Sequence, residues 1–369
     1  MPIFMDRHDV PGITAMDVAE AHKQDIKIQH LYGCRALTYW FDEKRGTAFC
    51  LIEAPHKDAV EKMHDDAHGL IPKNIIEVDG HLVEAFLGRL DDPKSTDESD
   101  FFKLIDPAFR IIMVIELKDA VVLRSLIGNK AFELLQSYKR LVQQTVERYG
   151  GKEVEYSNGT FVASFASVSK AVKCAIEMQK RFQELNWQTM GVHSQIAIGL
   201  DAGEPVTDRA DFFGEAIQLA KRLCYIAAGG QAVLSATVKD YYQKENLEIS
   251  LPQNVVRTVS PREKEFLNQL MDVIEDAWNE EGFSVSDFGK RIGLSKSQLY
   301  RNMVSLTGHS PSRFIREYRL NQAIRFIQEQ RNNIARIAFE TGFGNPAYFS
   351  KCFRRRFGVL PSEFAKTIG

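Results

Sequence analysis

The sequence predicts an α+β chain of three domains: a βαββαβ unit, a mixed α/β unit and an all-helical unit. Three observations predict it. At 369 residues the chain is long enough for two or three domains of roughly 100–200 residues each. Two stretches break it. Residues 91–99, DDPKSTDES, hold Pro93 and no apolar residue, and residues 249–263 hold Pro252, Pro261 and a run of polar residues. Charge divides it as well. From Ser284 to Gly369 there are 15 Lys and Arg against 5 Asp and Glu, about +10 in a chain of net charge -2, so the preceding part carries about -12. The domains expected are 1–90, 106–248 and 263–369.

In the first domain, residues 3–10 are strand-like and stop at Pro11-Gly12, and Thr14 with Asp17 three residues on opens a helix in a near-capping pattern. Residues 35–41 and 47–52 are strand-like, joined by a charged turn at Lys44-Arg45-Gly46. A helix from about 57 to 68 ends at Gly69, and 74–78 supply a last strand. This order is the ferredoxin-like arrangement. The second domain reads as strand 109–117, helix 129–149 ended by Gly150-Gly151, two strands about a turn at Ser157-Asn158-Gly159, helix 169–185, strand 193–199, and helix 214–228 closed by Gly229-Gly230. The third is helical throughout. Ser284 leads a short helix over 285–292, Gly293-Leu294 turns, and Ser295 caps a helix to Leu306. After a long helix, 311–330, the layout recurs: helix 334–341, turn Gly342-Phe343-Gly344, helix 345–357. Ile334, Ile337, Ala338, Phe343, Phe349 and Phe353 are its expected core.

Composition excludes several classes. Hydrophobic content of 44% and charged content of 26% are ordinary for a globular chain. The opening MPIFMDRHDVPGI has no apolar stretch fit for a signal peptide. The longest uncharged run, 223–238, is 16 residues and is broken by Gly229 and Gly230, too short to span a bilayer. Five scattered cysteines (Cys34, Cys50, Cys174, Cys224, Cys352) form no Cys-x-x-Cys pair, which suits a reducing compartment. A cytoplasmic location without membrane contact is expected.

A basic segment on an acidic body is the electrostatic footprint of nucleic-acid binding by one end. In a helix-turn-helix the second helix enters the major groove. The stretches GLSKSQLYRNMVSLTGHSPSRFIREYRL and IARIAFETGFGNPAYFSKCFRRRFGVLPSEF resemble the AraC-type transcription regulators over about 100 residues. The resemblance implies two motifs in successive major grooves, held apart by the connecting helix. By position it implies base reading by Ser297, Gln298 and Arg301 in the first motif and by Asn345, Ala347, Tyr348 and Lys351 in the second. Arg301 has the chemistry for a bidentate contact to guanine. Arg354, Arg355 and Arg356 are candidates to neutralise phosphates. Double-stranded DNA is the expected partner, with RNA polymerase as a possible further one.

The middle stretches YGGKEVEYSNGTFVASF, AIGLDAGEP and DFFGEAIQLAKRLCYIAAGGQAVLS resemble the catalytic domain of class III nucleotide cyclases. Such enzymes hold metal ions against a triphosphate with two aspartates. Here Glu116 stands at the first position, followed by Asp119, Ala120 and Val121 in place of a small glycine-containing loop, and Gly159 stands at the second. Glu155 replaces the base-selecting lysine and Gln218 the orienting asparagine, whereas Asp211 and Arg222 match the family's base-selecting aspartate and transition-state arginine. The resemblance therefore implies a cyclase-like fold without catalysis, serving to pair two chains. A retained nucleotide-sensing role on Asp211 and Arg222, or residual nucleotide processing, is the alternative.

Seven of the nine histidines fall within the first 81 residues. His64 and His68, four apart on a helix, face one side. Cys50 and Glu53 lie on a neighbouring strand, His8 ends the first strand and His22 sits on the first helix. Imidazole, thiolate and carboxylate together suit nickel, zinc or copper. The segment FMDRHDVPGITAMDVAEAHKQDI…YWFDEKRGTAFCLIEAP…MHDDAHG resembles a family of small ferredoxin-like bacterial proteins, and that resemblance implies nickel binding. The candidate ligands are His8, His22, Cys50, Glu53, His64 and His68, with Cys34 and Tyr39 left outside. A domain that binds a small molecule or only dimerises is the other reading. The function expected of the whole is a one-component transcription regulator that senses a transition-metal ion.

Overall fold

The computed structural model describes residues 1–92, 106–185, 194–209, 211–227, 230–246, 251–329 and 333–368. Most of the polar break expected at 91–99 lies outside them, as do His193, Ala228, Gly229 and Gln330 at the edges of expected elements.

The first domain is β1 (Ile3–Asp9), α1 (Ala15–Ile28), β2 (Arg35–Asp42), β3 (Thr47–Glu53), α2 (Lys57–His68) and β4 (Asn74–Val78). Its antiparallel sheet has the order β2-β3-β1-β4, the ferredoxin-like arrangement. Thr14 and Asp17 form a complete capping box on α1. Strand alternation decides what faces what. Phe4, Tyr39, Phe41, Cys50 and Ile52 bury against Val18, Ala19, Val60 and Met63 of the two helices. Met5, Trp40, Phe49 and Leu51 point the other way, into a core shared with the rest of the chain. The sequence reading passed over α3 (Gly80–Leu87), which Asp79 caps and Gly88 ends, and which drives Val83, Phe86 and Leu87 into that seam.

The second domain comprises β5 (Arg110–Leu117), α4 (Leu123–Ile127), α5 (Lys130–Arg148), β6 (Lys152–Ser157), β7 (Thr160–Phe165), α6 (Val168–Glu184), β8 (Ile196–Gly203), α7 (Gly214–Ile226), β9 (Ala232–Ser235), α8 (Ala236–Glu245) and β10 (Val256–Val259). The six-stranded sheet runs β10-β9-β8-β5-β7-β6, parallel from β10 to β8 and antiparallel beyond. Ile111, Met113 and Ile115 pack on α5 and α6, whereas Ile112 and Val114 face α7. Glycine is required at 199, where a β-carbon would collide with the Ala220 carbonyl and the Cys224 backbone; α7 thus lies directly on β8. The break expected at 249–263 is corrected here. Between its prolines Val256 and Val259 bury as edge strand β10, and Ser260 caps the next helix. The two valines complete a sheet from a stretch too short to show periodicity.

The third domain is α9 (Pro261–Ala277), α10 (Val285–Ile292), α11 (Lys296–Thr307), α12 (Pro311–Gln328), α13 (Ile334–Glu340), α14 (Pro346–Phe357) and α15 (Pro361–Ile368). Helices α10–α11 and α13–α14 are the two helix-turn-helix units, and α12 connects them. Ser284 and Ser295 form full capping boxes with Asp287 and Gln298, and Gly293, Gly308 and Gly358 close helices in the left-handed conformation. The expected core of the second unit is buried around Phe343, Phe349 and Phe353. One apolar cluster runs through all three domains, from Met5 and Leu51 through Val114 and Leu223 to Leu267, Ile274 and Leu299.

Candidate metal centre and nucleic-acid interface

Strand β1 carries Asp6 and His8 two residues apart, so both face the helices. Cys50 on β3 and His64 on α2 meet them there, and all four are buried. One donor atom from each lies within 4.8 Å of every other. His64 stands at the centre: its Nε2 is 2.8 Å from Asp6 Oδ2, and its Nδ1 is 3.0 Å from Asp25 Oδ1. Asp25 of α1, His64 and His68 form a second such set, with His68 Nε2 3.2 Å from Asp25 Oδ1 and 3.1 Å from His64 Nδ1.

Electrostatics follow from this packing. Burial works against charge on His64, yet Asp6 and Asp25 outweigh it and push the imidazole up to about 10. Burial would likewise raise Asp6, but His8 and His64 hold it well below the carboxylate range. Burial first, then Asp6 and Asp25, pushes the Cys50 thiol well up. His8 is different. Both of its ring nitrogens are buried without a hydrogen-bond partner, although Nε2 lies 3.3 Å from Asp6 Oδ1. An unpaired buried polar ring is costly, and a cation among Asp6, Cys50 and His64 would give it a partner. The donor set of two nitrogens, one sulfur and one carboxylate oxygen fits a borderline transition metal.

Of the six expected ligands the structure brings together His8, Cys50, His64 and, in the adjoining set, His68. It separates two. Glu53 lies three residues from Cys50, on the opposite face of β3, and pairs with Arg35 at 3.0 Å and with the amino terminus. The period of two excludes it from the Cys50 face. His22 binds Asp92 at 2.9 Å and lies beside Tyr39. Asp6 and Asp25 were missed. The Asp-x-His spacing on a strand was the available signal for Asp6; Asp25 joins Val18 and His22 on the buried face of α1.

At the other end of the molecule, Ser297, Gln298, Arg301, Asn345, Ala347, Tyr348, Lys351, Arg354 and Arg355 are all exposed. Tyr300, which the sequence reading did not select, is 54% exposed beside Arg301. Two of the nine have a structural task. The Gln298 side-chain oxygen accepts from Ser295, and that of Asn345 caps α14 from the amides of Ala347 and Tyr348 at 2.8 and 3.1 Å. Only their amide nitrogens remain to donate to a base edge. Arg356 is not free for a phosphate: it makes a bidentate pair with Asp119 at 2.8 and 2.9 Å and a third bond to Glu317 at 2.6 Å. Its position on α14 faces the middle domain, away from Lys351 and Arg355.

The nucleotide positions of the middle domain are similarly occupied. Arg222 is buried and bound to Asn268 at 2.9 Å, to Glu275 at 3.1 Å and to Asp272, all on α9. Asp211 is exposed at the start of α7. Glu116 is paired with Lys118 at 2.8 Å. Gly159 has φ +85°, and a β-carbon there would lie 2.6 Å from that of Ala120.

A buried donor cluster is joined through one core to tandem helix-turn-helix units, the architecture of DNA-binding proteins. Residues 288–367 match the family described as Helix-turn-helix domain, and residues 4–78 match Nickel responsive protein SCO4226-like. The carboxy-terminal domain accordingly carries a helix-turn-helix domain of the kind found in transcription regulators. Among relatives, Histidine kinase P4 of Formosa agariphila is 33% identical over 107 residues, 29% of this chain and 8% of that protein. The HTH-type transcriptional activator RhaS of Escherichia fergusonii is 30% identical over 146 residues, 40% of this chain and 51% of that protein. The crystal structure of SCO4226 from Streptomyces coelicolor A3(2) is 34% identical, covering 21% of this chain and 94% of that one, with a TM-score of 0.20. The chain spans about half or less of the length of the curated relatives it matches. No helix among the described residues is long and apolar enough to cross a membrane.

Proposed function

We propose that this protein is a sequence-specific DNA-binding transcription regulator whose amino-terminal domain senses a transition-metal ion, nickel being the first candidate and zinc or copper the others. The observation that carries the reading is the buried set Asp6, His8, Cys50 and His64, with His8 making no hydrogen bond, in a chain that exposes two recognition-helix faces. Asp6, His8, Cys50 and His64 would hold the ion, which would supply a cross-link between β1, β3 and α2. Binding would release the Cys50 thiol proton and one proton of His64 to solvent, so affinity would fall with acidity.

Strand β1 is suited to pass the change on. Its inward face carries Asp6 and His8, and its outward face carries Arg7, which pairs with Glu204 at 2.9 Å and donates to the Val206 carbonyl at 3.1 Å in the middle domain. Thr47 of β3 reaches the same Glu204 at 3.2 Å. From there the shared core continues to α9 and α11. An ion that prefers one arrangement of β1 against β3 biases the whole, and DNA affinity changes by that preference and no more.

The middle domain acts in this reading as a scaffold that pairs two chains; the engagement of Arg222 by α9 and the closed Gly159 position support scaffold over catalyst. Base reading is assigned to Arg301, Tyr348 and Lys351 with Ser297 and Ala347 beside them, amide donation to Gln298 and Asn345, and phosphate contact to Arg354 and Arg355. RNA polymerase is the expected second partner once DNA is bound. Fluorescence anisotropy on a selected operator, with and without nickel, tests the reading. Sequence-specific binding that shifts with metal is expected; absence of sequence preference refutes it.

A further inference from the structure

Two donor sets share His64, and only one of them has the protons arranged for an ion. We infer that Asp25 and His68 are not ligands but positioning residues, which fix the His64 ring so that Nε2 faces Asp6, His8 and Cys50. This rests on the metal reading given above.

The argument starts at Leu70. Its amide donates to His68 Nδ1 at 3.1 Å, so that nitrogen keeps its lone pair and the proton of a neutral His68 sits on Nε2. That Nε2–H points at Asp25, 3.2 Å away. A nitrogen must give up its proton to bind a metal ion, and His64 can release the one on Nε2 and remain neutral through Nδ1–H, whereas the Nε2 proton of His68 has no such freedom. To use that nitrogen, His68 would have to move its proton to Nδ1, against the Leu70 amide. Asp25 receives a second donor, His64 Nδ1–H at 3.0 Å. Its Oδ1 therefore receives both imidazole N–H groups, and the ladder Leu70–His68–Asp25–His64 is connected as it stands.

The sheet side is the reverse. His64 Nε2 faces Asp6 at 2.8 Å, and His8 has both nitrogens buried without a hydrogen bond, Nε2 lying 3.3 Å from Asp6. Zinc, one of the candidates, sits about 2.0–2.3 Å from N, O and S ligands in a tetrahedron, so its ligand atoms stand roughly 3.3–3.8 Å apart. Donor atoms within 4.8 Å of one another need only a small contraction. A ligating histidine whose other nitrogen donates to a carboxylate is held in ring orientation and tautomer, and made more basic, by that carboxylate. Asp25 stands in that relation to His64, and His68 in turn orients Asp25. Both come from helices, whereas three of the four ligands, Asp6, His8 and Cys50, come from the sheet; α1 thus contributes to the centre without touching the ion.

Cobalt(II) and nickel(II) titrations of the full chain test this, with stoichiometry by elemental analysis and the cobalt–thiolate absorption of Cys50 as a second readout. One ion per wild-type chain is expected. Asp25→Ala should keep one ion and the thiolate band but lose 10–100-fold in affinity. Asp25→Asn, whose side-chain oxygen still accepts from His64, should recover most of that loss. Nitrogen-15 spectra should show His64 protonated at Nδ1 in the metal-bound wild type and a mixture of tautomers in Asp25→Ala. Two ions in the wild type and one in His68→Ala would make Asp25 and His68 ligands and overturn the inference while leaving the metal reading intact. Unchanged affinity in Asp25→Ala would overturn it as well. A wild type that binds neither ion would overturn the metal reading and this inference together.

Discussion

Arg301 stands exposed on α11 without an ion-pair partner among the described residues, while Arg356, on a helix of the same kind, is tied to two carboxylates. Residue type alone could not separate them; position around the helix does. Arg301→Ala is expected to relax preference at one base position and to cost roughly 1–3 kcal/mol in operator affinity. An equal loss on all sequences in a competition assay would deny it a base-reading role. A pH effect belongs to this scale too. His64 is raised from 6.5 to about 10, so its imidazolium stabilises the fold fully below 6.5, and the contribution is lost as pH rises toward 10. Asp6 and Asp25 are lowered, so theirs is present above 3.8 and lost in acid. In metal-free protein, the melting-temperature gap between wild type and His64→Gln should narrow from pH 6.5 to 10. A constant gap would contradict the buried charge network. Much of this cluster was legible: His64 and His68 by helical spacing, Cys50 by its strand. Glu53 lies off the cluster because strand parity turns it to the other face of β3. His22 turns to Asp92, 70 residues away, a partner that no spacing rule reaches.

Among the elements, the recognition helices were the most readable, because their ends are written in local chemistry: Ser295 and Asn345 at the starts, Gly308 and Gly358 at the ends. Asn345→Ala should cost about 0.5–2 kcal/mol of stability in the second unit, seen as a lower melting temperature, and should weaken DNA binding with it. Weakened binding with unchanged stability would instead mark Asn345 as a base contact alone. Short elements were harder. Four residues of β10 between two prolines, and eight of α3, show little periodicity; both are held by burial against distant partners. The hairpin glycine at 159 was readable as a missing ligand. That the space is closed by Ala120 follows only from the fold.

In the whole molecule the three domains share one apolar core, an arrangement that composition and linker signals did not announce. Polar clamps cross the seams at Arg7–Glu204, Arg222–Glu275 and Arg356–Asp119. Asp119 holds the second recognition helix from a backbone at φ 61°, a conformation costly for an aspartate and worth about 1–3 kcal/mol of strain. Asp119→Ala should loosen the second unit from the middle domain and lower the melting temperature while leaving the salt slope of DNA binding unchanged, because Arg356 faces away from Lys351 and Arg355. A slope steeper by about one unit would show Arg356 reaching a phosphate. The central claim is that metal in the amino-terminal domain alters DNA reading in the carboxy-terminal one, with one domain between them, and coupling of this sort is typically 5–150-fold. The most direct measurement is the operator dissociation constant of the full chain at fixed salt, taken metal-free and with saturating nickel, with His8→Ala as control. A change of at least about 5-fold in the wild type, abolished in His8→Ala, is the predicted result. Identical constants with the ion demonstrably bound would contradict it.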